Sequence, residues 1–226
     1  MTFSRWADVY SERARQFDNP LDICEFYSGP THFSDEWFKE ATEFIASSLQ
    51  LQPQDRILEV GCGCGVIMRY LFPNFRHFVG VDLSYEVVDI ARRALPDVTF
   101  HVASAVDLPL DDGSFDKCFC YQSLHYFDEF EIARRAILEM GRILRKGGRI
   151  LIGQIPNAEL EADYQVIRGD RKFRRDNRVA HDLRWLWFSP DFFESLGDQF
   201  RSIEIRRGGR AADAMSKYRM DVIITV

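Results

Sequence analysis

The chain has 226 residues, 46% of them hydrophobic, which is enough to bury one core and most simply forms a single domain. Its formal net charge of −6 argues against a general nucleic-acid binder, which normally presents a basic surface. No apolar run approaches the roughly 18 residues of a membrane helix, and the N-terminus lacks the apolar core of a signal peptide. Four of the five cysteines fall in predicted strands and turns, so we expect reduced, packed thiols in a cytoplasmic protein.

Helices and strands alternate along the chain. A helical segment opens near Trp6, and Ser34 is placed to cap a helix whose apolar residues recur at intervals of three and four. Prolines and glycines mark the ends of later elements. The expected helices are residues 35–49, a short one ending near 72, 84–95, 130–144 and about 190–200. The expected strands are residues 56–60, 77–81, 98–102, 115–121 and 149–154, with closing strands at 201–206 and 218–226.

Alternation of five strands with helices predicts a doubly wound α/β fold, with a parallel sheet covered by helices on both faces. The last two strands follow one another without a helix between them. Open sheets of this kind bind ligands at the carboxyl ends of the strands, where the strand order reverses. The first four strands end at Gly61, Asp82, Ser104 and near Gln122, so we expect these tips to border one cleft.

A glycine-rich turn follows the first predicted strand, in Arg56-Ile-Leu-Glu-Val-Gly-Cys-Gly-Cys-Gly65. Glycines lack the side chains that would keep a ligand off the backbone, and they tolerate positive φ. About twenty residues later the second strand ends at Asp82, where a carboxylate can accept both hydroxyls of a ribose. This pairing predicts a nucleoside-containing cofactor. A dinucleotide fingerprint would need its third glycine at Val66, which disfavours a nicotinamide oxidoreductase.

Glu59-Val-Gly-Cys-Gly-Cys-Gly65 resembles motif I of the class I S-adenosylmethionine-dependent methyltransferases, E/D-x-G-x-G-x-G. Further matching segments follow in the family's order over residues 35–155. The resemblance implies a Rossmann-like, seven-stranded sheet, mostly parallel, with a C-terminal antiparallel hairpin. It also implies one methyltransferase domain with four parts: an N-terminal lid (1–34), the cofactor-binding core (35–155), a substrate cap (156–188), and a closing helix and hairpin (189–226).

The same resemblance assigns roles to individual residues. Gly61, Cys62, Gly63 and Gly65 would lie under the methionine and ribose of S-adenosylmethionine, and Asp82 would hold the ribose hydroxyls. The remaining cofactor-binding candidates are Glu59 at the cofactor's amino end, Leu83 and Ala105 at the adenine, and Gln122 and Ser123 facing the sulfonium and acceptor.

One position departs from the family pattern. Ser104 stands where the family has an aspartate that binds the adenine amino group. A neutral hydroxyl makes a weaker hydrogen bond than a carboxylate, so we expect a weaker grip on adenine. Asp107 is the alternative partner for that amino group, or else it lies in a solvated turn.

The catalytic base is predicted to be a histidine, since imidazole is the usual base at neutral pH. His125 is the first candidate, because the resemblance places it just past the fourth strand, and His181 in the cap is the second. The other histidines match no motif, and we expect them to be structural or exposed.

The acceptor is expected to be a small molecule methylated on oxygen or nitrogen, with neither a nucleic acid nor a membrane as partner. The run Arg168–Arg178 holds six cations against two acids, and it would suit an anionic acceptor or simply form a solvated face. Trp185, Trp187 and Phe188 would wall an acceptor pocket or pack in the core. Trp6 and the aromatic residues Tyr10, Phe26 and Tyr27 would form a lid. A binding or scaffold protein that retains the fold without catalysis is the alternative.

Two Cys-x-Cys pairs raise the alternative of a metal site. The spacing is tighter than in the usual zinc pairs, and no Cys or His partner follows at ligand spacing. Cys118 and Cys120 alternate along a predicted strand, so we expect both to face the same side of the sheet and pack there.

Overall fold

A computed structural model of the protein describes residues 5–28, 31–169, 184–208 and 216–226. Seven strands form one sheet: β3 (Arg56–Val60), β4 (His77–Asp82), β5 (Thr99–Val102), β6 (Phe115–Tyr121), β7 (Leu144–Pro156), β8 (Ser202–Arg207) and β9 (Arg219–Thr225). Their order across the sheet is β5-β4-β3-β6-β7-β9-β8. Strands β3 to β7 pair in parallel, whereas β9 pairs antiparallel with both β7 and β8. The predicted mostly parallel sheet with a closing hairpin is confirmed.

Eight helices are described around this sheet, and a small hairpin of β1 (Tyr27–Ser28) and β2 (Thr31–His32) lies near the N-terminus. The helices are α1 (Arg5–Gln16), α2 (Pro20–Ile23), α3 (Asp35–Leu49), α4 (Val66–Leu71), α5 (Tyr85–Ala94), α6 (Phe130–Arg142), α7 (Glu161–Gly169) and α8 (Pro190–Glu194). Ser34 caps α3 as predicted, because its Oγ accepts a hydrogen bond of 3.2 Å from the backbone N of Trp37. Within the described part of the chain, no helix is both long and apolar enough to cross a bilayer.

The sheet divides the core into two buried clusters, one on each face. Apolar residues of α3, α4 and α5 pack in the first, and those of α6 and α8 pack in the second. Cys118 and Cys120 are both fully buried in the second cluster, which confirms that they face the same side of the sheet. Cys62 and Cys64 are buried in the first, and all four thiols are free.

Two predicted boundaries are corrected by the structure. Strand β7 begins at Leu144 instead of residue 149, because Leu144 already pairs with Phe115 of β6. Helix α8 ends at Glu194 and not near residue 200, since Gly197 begins a separate turn of 3₁₀-helix. Ser84 precedes α5 but makes no side-chain cap. Its hydroxyl oxygen lies 2.8 Å from that of Ser11, which ties the start of α5 to α1.

Candidate functional site

A cleft with a cavity volume of about 150 Å³ lies at the carboxyl ends of β3, β4, β5 and β6. This is the edge where the strand order reverses, since β4 and β6 flank β3 on opposite sides. All but one of the predicted cofactor-binding residues line it: Glu59, Gly61, Cys62, Gly63, Asp82, Leu83, Ser104, Ala105, Gln122 and Ser123. Residues that lie far apart in the sequence therefore meet at one edge of the sheet.

The glycine-rich turn leaves no room for side chains. Gly61 and Gly63 adopt φ values of +72° and +51°, in the left-handed region that favours glycine. A Cβ on Gly61 would lie 1.9 Å from Ser123 Oγ, and one on Gly63 would lie 2.9 Å from Cys24 Sγ. The turn is thus both conformationally and sterically specific for glycine, and its backbone forms part of the cleft wall.

Gly65 is the predicted residue that does not line the cleft. It has φ +74° and precedes the first residue of α4. A Cβ there would lie 3.2 Å from Leu95 Cδ1, in the core beneath the turn. The geometry gives it a role in starting the helix and packing it on the sheet, and direct contact with a cofactor stays a prediction.

Asp82 ends β4 and is bound by two backbone groups. Its Oδ2 accepts a hydrogen bond of 2.9 Å from the N–H of Gly63, and its Oδ1 accepts one of 3.0 Å from the N–H of Ser84. Burial raises the pKa of Asp82 although these hydrogen bonds act in the opposite direction. The carboxylate is therefore fixed in position at the strand tip, with one bond to each oxygen.

Glu59 presents the most unusual polar group of the cleft. The residue is only 2% exposed, and within the described ranges its Oε2 has no hydrogen-bond partner. Burial, together with nearby Cys24 and Asp82, raises the pKa of Glu59 well above its usual range. A buried carboxyl oxygen that lacks a donor fits a ligand group that carries N–H donors.

Leu83, Ser104 and Ala105 border the other end of the cleft, whereas Asp107 is not among the lining residues. The Oγ of Ser104 accepts a long hydrogen bond of 3.4 Å from the N–H of Val106. The cleft therefore carries a neutral hydroxyl where the family pattern has an aspartate. Which of Ser104 and Asp107 would bind an adenine amino group stays a prediction.

The N-terminal segment closes the cleft with aromatic side chains. Trp6 and Tyr10 of α1 line it together with Tyr126, and the Tyr126 ring centroid lies 4.7 Å from that of Trp6 and 5.4 Å from that of Tyr10. Arg13, which is buried, forms an ion pair of 3.2 Å with Glu25. The hydroxyls of both tyrosines lie 3.4 Å from Oε2 of Glu25, so the segment after α2 is tied to α1 and to the cleft wall.

His125, the first predicted catalytic histidine, is not among the residues that line the cleft. His125 is 1% exposed and lies behind the cleft wall, with its ring centroid 4.2 Å from Tyr126 and 5.1 Å from Trp185. Burial and the charge of Arg219 lower the pKa of His125 well below its ordinary value, which keeps the imidazole neutral at neutral pH. His181 lies outside the described residues, as does most of the arginine-rich run, and the catalytic roles of both histidines stay predictions.

Sequence reasoning missed three residues at or beside the site. Cys24 lines the cleft from the N-terminal segment, and nothing in the sequence around it indicates this. Tyr126 belongs to a segment that matched the family, so the sequence could have predicted its position in the cleft wall. Gln154 lies beside the cleft at an irregularity of β7, and the sequence of this strand does not predict the irregularity. In the described parts of the chain, no group of three or more His, Cys, Asp or Glu side chains is arranged to hold a metal ion.

Known proteins are similar to this chain in sequence and in fold. Residues 58–152 match the family of methyltransferase domains. The 27-O-demethylrifamycin SV methyltransferase of Amycolatopsis mediterranei is 36% identical over 177 residues, covering 71% of this chain and 63% of that protein. An O-methyltransferase of Penicillium expansum is 29% identical over 182 residues, with the same coverages. The chain therefore spans less than two thirds of the length of these curated relatives.

Solved structures agree on the fold. An S-adenosylmethionine-dependent methyltransferase of Thermotoga maritima, described as a possible histamine N-methyltransferase, has a TM-score of 0.61 at 20% identity and covers 96% of this chain and 98% of its own. Geranyl diphosphate C-methyltransferase of Streptomyces coelicolor A3(2) has a TM-score of 0.59 at 17% identity, with coverages of 96% and 97%.

The sheet order, the closing hairpin and the glycine-rich turn define a Rossmann-like methyltransferase domain. Residues 58–152 are a domain of the S-adenosylmethionine-dependent methyltransferases, and the chain resembles class I of that family in sequence and fold. The cofactor of this family is S-adenosylmethionine, and the cleft fits it on two observations. The glycine turn forms a cradle that a Cβ would fill, and Glu59 offers a buried carboxyl oxygen for the cofactor's ammonium group.

Proposed function

We propose that this protein transfers the methyl group of S-adenosylmethionine to an oxygen or nitrogen of a small-molecule acceptor. The observation that carries the proposal is the cleft in which Glu59, the glycine turn and Asp82 converge at the reversal of strand order. When bound, S-adenosylmethionine supplies a methyl group on a positively charged sulfur. The protein then has to align the acceptor with that methyl group and exclude water, and it needs strong acid–base groups less than it needs geometry.

In this proposal each polar residue of the cleft binds a different part of the cofactor. The carboxylate of Asp82 accepts hydrogen bonds from the ribose hydroxyls, and Oε2 of Glu59 accepts one from the ammonium group of the methionine moiety. Leu83, which is 37% exposed at the cleft, packs against the adenine. The rings of Trp6 and Tyr10 exclude water from the acceptor side of the cleft.

Oxygen is the acceptor atom that the relatives' names favour, because the Penicillium protein is named an O-methyltransferase and the Amycolatopsis protein is named a methyltransferase of 27-O-demethylrifamycin SV. A small acceptor is supported by the walls of the cleft, where aromatic side chains of α1 and Tyr126 close over a limited volume. An anionic acceptor rests on the arginine-rich run Arg168–Arg178 and stays a prediction from the sequence.

A transfer assay tests the proposal. The purified chain is incubated with S-adenosylmethionine labelled on its methyl group and a panel of small molecules that carry hydroxyl or amino groups. Labelled products are then separated from the cofactor. The expected result is turnover of at least one acceptor, with S-adenosylhomocysteine formed in equal amount. Binding of S-adenosylhomocysteine without transfer to any member of the panel would favour the scaffold alternative.

A further inference from the structure

Cys24, which follows α2, lies against the glycine-rich turn. Its Sγ accepts a hydrogen bond of 3.3 Å from the backbone N–H of Cys64, and it lies 2.9 Å from the position that a Cβ on Gly63 would occupy. The side chains of Cys24 and Cys64 are also hydrogen-bonded to each other, and this contact, together with burial, raises the pKa of Cys64. Two thiols that are 40 residues apart in the sequence therefore meet at the turn.

Cys24 is the thiol of this pair that a dissolved reagent reaches first. All five cysteines lie in the described residues and are free, but four of them are buried and only Cys24 is partly exposed. Cys24 also lines the cleft, whereas Cys64 is 2% exposed and packs in the first core cluster. The cleft thus gives a small oxidant a path to Cys24 and, through Cys24, to Cys64.

We propose that Cys24 and Cys64 form a disulfide when the protein meets hydrogen peroxide, and that this bond holds the N-terminal segment closed over the cleft. The sulfur of Cys24 attacks one oxygen of the peroxide, the O–O bond breaks, and Cys24 becomes a sulfenic acid with release of water. The sulfur of Cys64 then attacks that of Cys24. The S–S bond forms, the S–O bond breaks, and the hydroxide leaves as water with the proton of Cys64. The two thiols lose two electrons in total, and the peroxide gains them.

Proximity selects Cys64 as the partner. Its raised pKa keeps the thiol protonated at neutral pH, so the reactive thiolate is a minor species. Contact between the two side chains offsets this, because a nucleophile held against its target reacts as if it were highly concentrated. Cys62 is the competing partner, since it also lines the cleft, but its Sγ donates to the carbonyl of Gly63 at 3.8 Å.

The bond acts on the cleft through Arg13, a buried residue of α1. Its Nε donates to the carbonyl of Ile23 at 2.9 Å, and its guanidinium pairs with Glu25 at 3.2 Å. The residues on both sides of Cys24 are therefore attached to α1, which also carries two of the aromatic rings that line the cleft. A covalent link from Cys24 to the turn fixes α1 over the cleft and slows the exchange of any ligand beneath it.

The competing explanation is that the two thiols pack against the turn and stay reduced, as buried cysteines usually do. Formation of the disulfide does not depend on the proposed function, whereas its effect on cofactor exchange rests on that function. Two separate measurements therefore follow the bond and the exchange.

Peptide mapping follows the bond. The full chain is reduced, freed of reductant and treated with hydrogen peroxide; the remaining thiols are alkylated under denaturing conditions, and the digest is analysed by mass spectrometry. The expected result is a disulfide between the peptides of Cys24 and Cys64, with Cys118 and Cys120 recovered as alkylated thiols. Cys62→Ser is the matched control and should retain the bond. A bond from Cys24 to Cys62, or no bond to Cys24, would overturn the proposal.

Stopped-flow measurements follow the exchange of S-adenosylhomocysteine, with tryptophan fluorescence as the signal because Trp6 lines the cleft. Oxidation should lower both the association and the dissociation rate by about tenfold or more, and dithiothreitol should restore them. Peroxide should leave the rates of Cys64→Ser and Cys24→Ser unchanged, and the melting temperatures of both variants, measured in the reduced state, show whether they fold as the native protein does.

A mapped disulfide that leaves both rates unchanged would overturn the closure of the cleft. Rates that fall equally in the native protein and in Cys64→Ser would show that the disulfide is not the cause. Failure of the reduced protein to bind S-adenosylhomocysteine would count against the proposed function alone, and the peptide map would still decide whether the disulfide forms.

Discussion

The glycine-turn side of the cleft and the buried region behind its wall, which contains His125 and Gln154, are stabilised by different kinds of contact. On the first side the backbone determines the geometry: Gly61 and Gly63 have positive φ, and the N–H of Gly63 donates a hydrogen bond to Asp82. On the second side, residues of β9 that are 65 and 67 positions further along the chain hold Gln154 in place. The first side carries fixed features for a cofactor, and the second leaves two buried polar atoms without partners in the described structure.

This difference predicts that substitutions in the two regions affect different properties, cofactor binding in one and acceptor use in the other. Changes to the glycine turn or to Glu59 should weaken cofactor binding, because those groups form the cradle. Changes at His125, the predicted base, should alter acceptor use and leave the affinity for S-adenosylhomocysteine intact, because His125 does not line the cleft. A variant on one side that disturbs both properties equally would break the comparison.

Gly61→Ala should have the largest effect. Its Cβ would lie 1.9 Å from Ser123 Oγ at φ +72°, so the turn has to move. We expect the affinity for S-adenosylhomocysteine, measured by calorimetry, to fall on the order of 100-fold, which corresponds to about 3 kcal/mol. Gly147→Ala is the matched control, because Gly147 also has positive φ, at +80°, but no heavy atom of the described residues lies within 4 Å of its Cβ position. Equal affinities of the two variants would contradict the steric account.

Glu59→Gln should weaken S-adenosylhomocysteine about 30-fold, since an ionised hydrogen bond contributes about 2 kcal/mol. The raised pKa of Glu59 adds a dependence on pH. Because the folded protein keeps this proton to a higher pH than the unfolded chain, the stability of the ligand-free protein falls as pH rises from the ordinary carboxyl pKa through the raised one. Chemical denaturation at several pH values should show a shallower fall for the glutamine variant.

Binding provides a second readout for Glu59. A ligand ammonium group favours the carboxylate, so binding of S-adenosylhomocysteine should release a proton wherever Glu59 is protonated beforehand. Calorimetry in buffers of different ionisation enthalpy measures this release. The glutamine variant should release less than the native protein, and identical release would show that Glu59 does not change its protonation on binding.

His125→Ala should lower kcat/KM for a hydroxyl acceptor about tenfold, the loss expected for one buried hydrogen bond, with unchanged affinity for S-adenosylhomocysteine. Steady-state kinetics and calorimetry on the same preparation separate the two quantities. A loss of 100-fold or more in kcat would instead identify His125 as the general base. An unchanged rate would remove it from the mechanism.

Arg15→Ala should have the smallest effect. Arg15 pairs with Glu86 across the contact of α1 with α5, but its side chain is 59% exposed. Exposed ion pairs contribute little, so we expect the affinity for S-adenosylhomocysteine to change less than about twofold. A larger change would mean that surface contacts hold α1 over the cleft, and that the buried Arg13–Glu25 pair does not suffice.

The two regions also differ in how far the sequence predicts them. Glycine spacing, the strand tips and the alternation of elements are local signals, so the sheet, its hairpin and nearly all of the cleft residues at Glu59–Ala105 were within reach of sequence reasoning. Gln154 was not, because Ile150–Ile155 reads as an ordinary buried strand. The irregularity there depends on Arg219 and Asp221, and such contacts between distant residues leave no pattern in one sequence.

Calorimetric titration of the native protein with S-adenosylmethionine, S-adenosylhomocysteine and NADH is the most direct test of which cofactor the cleft binds. We expect micromolar binding of both sulfur nucleosides and no binding of NADH, because the cleft provides one glycine turn and one carboxylate at the tip of β4 without a dinucleotide fingerprint. Binding of NADH, or binding of neither sulfur nucleoside, would contradict it.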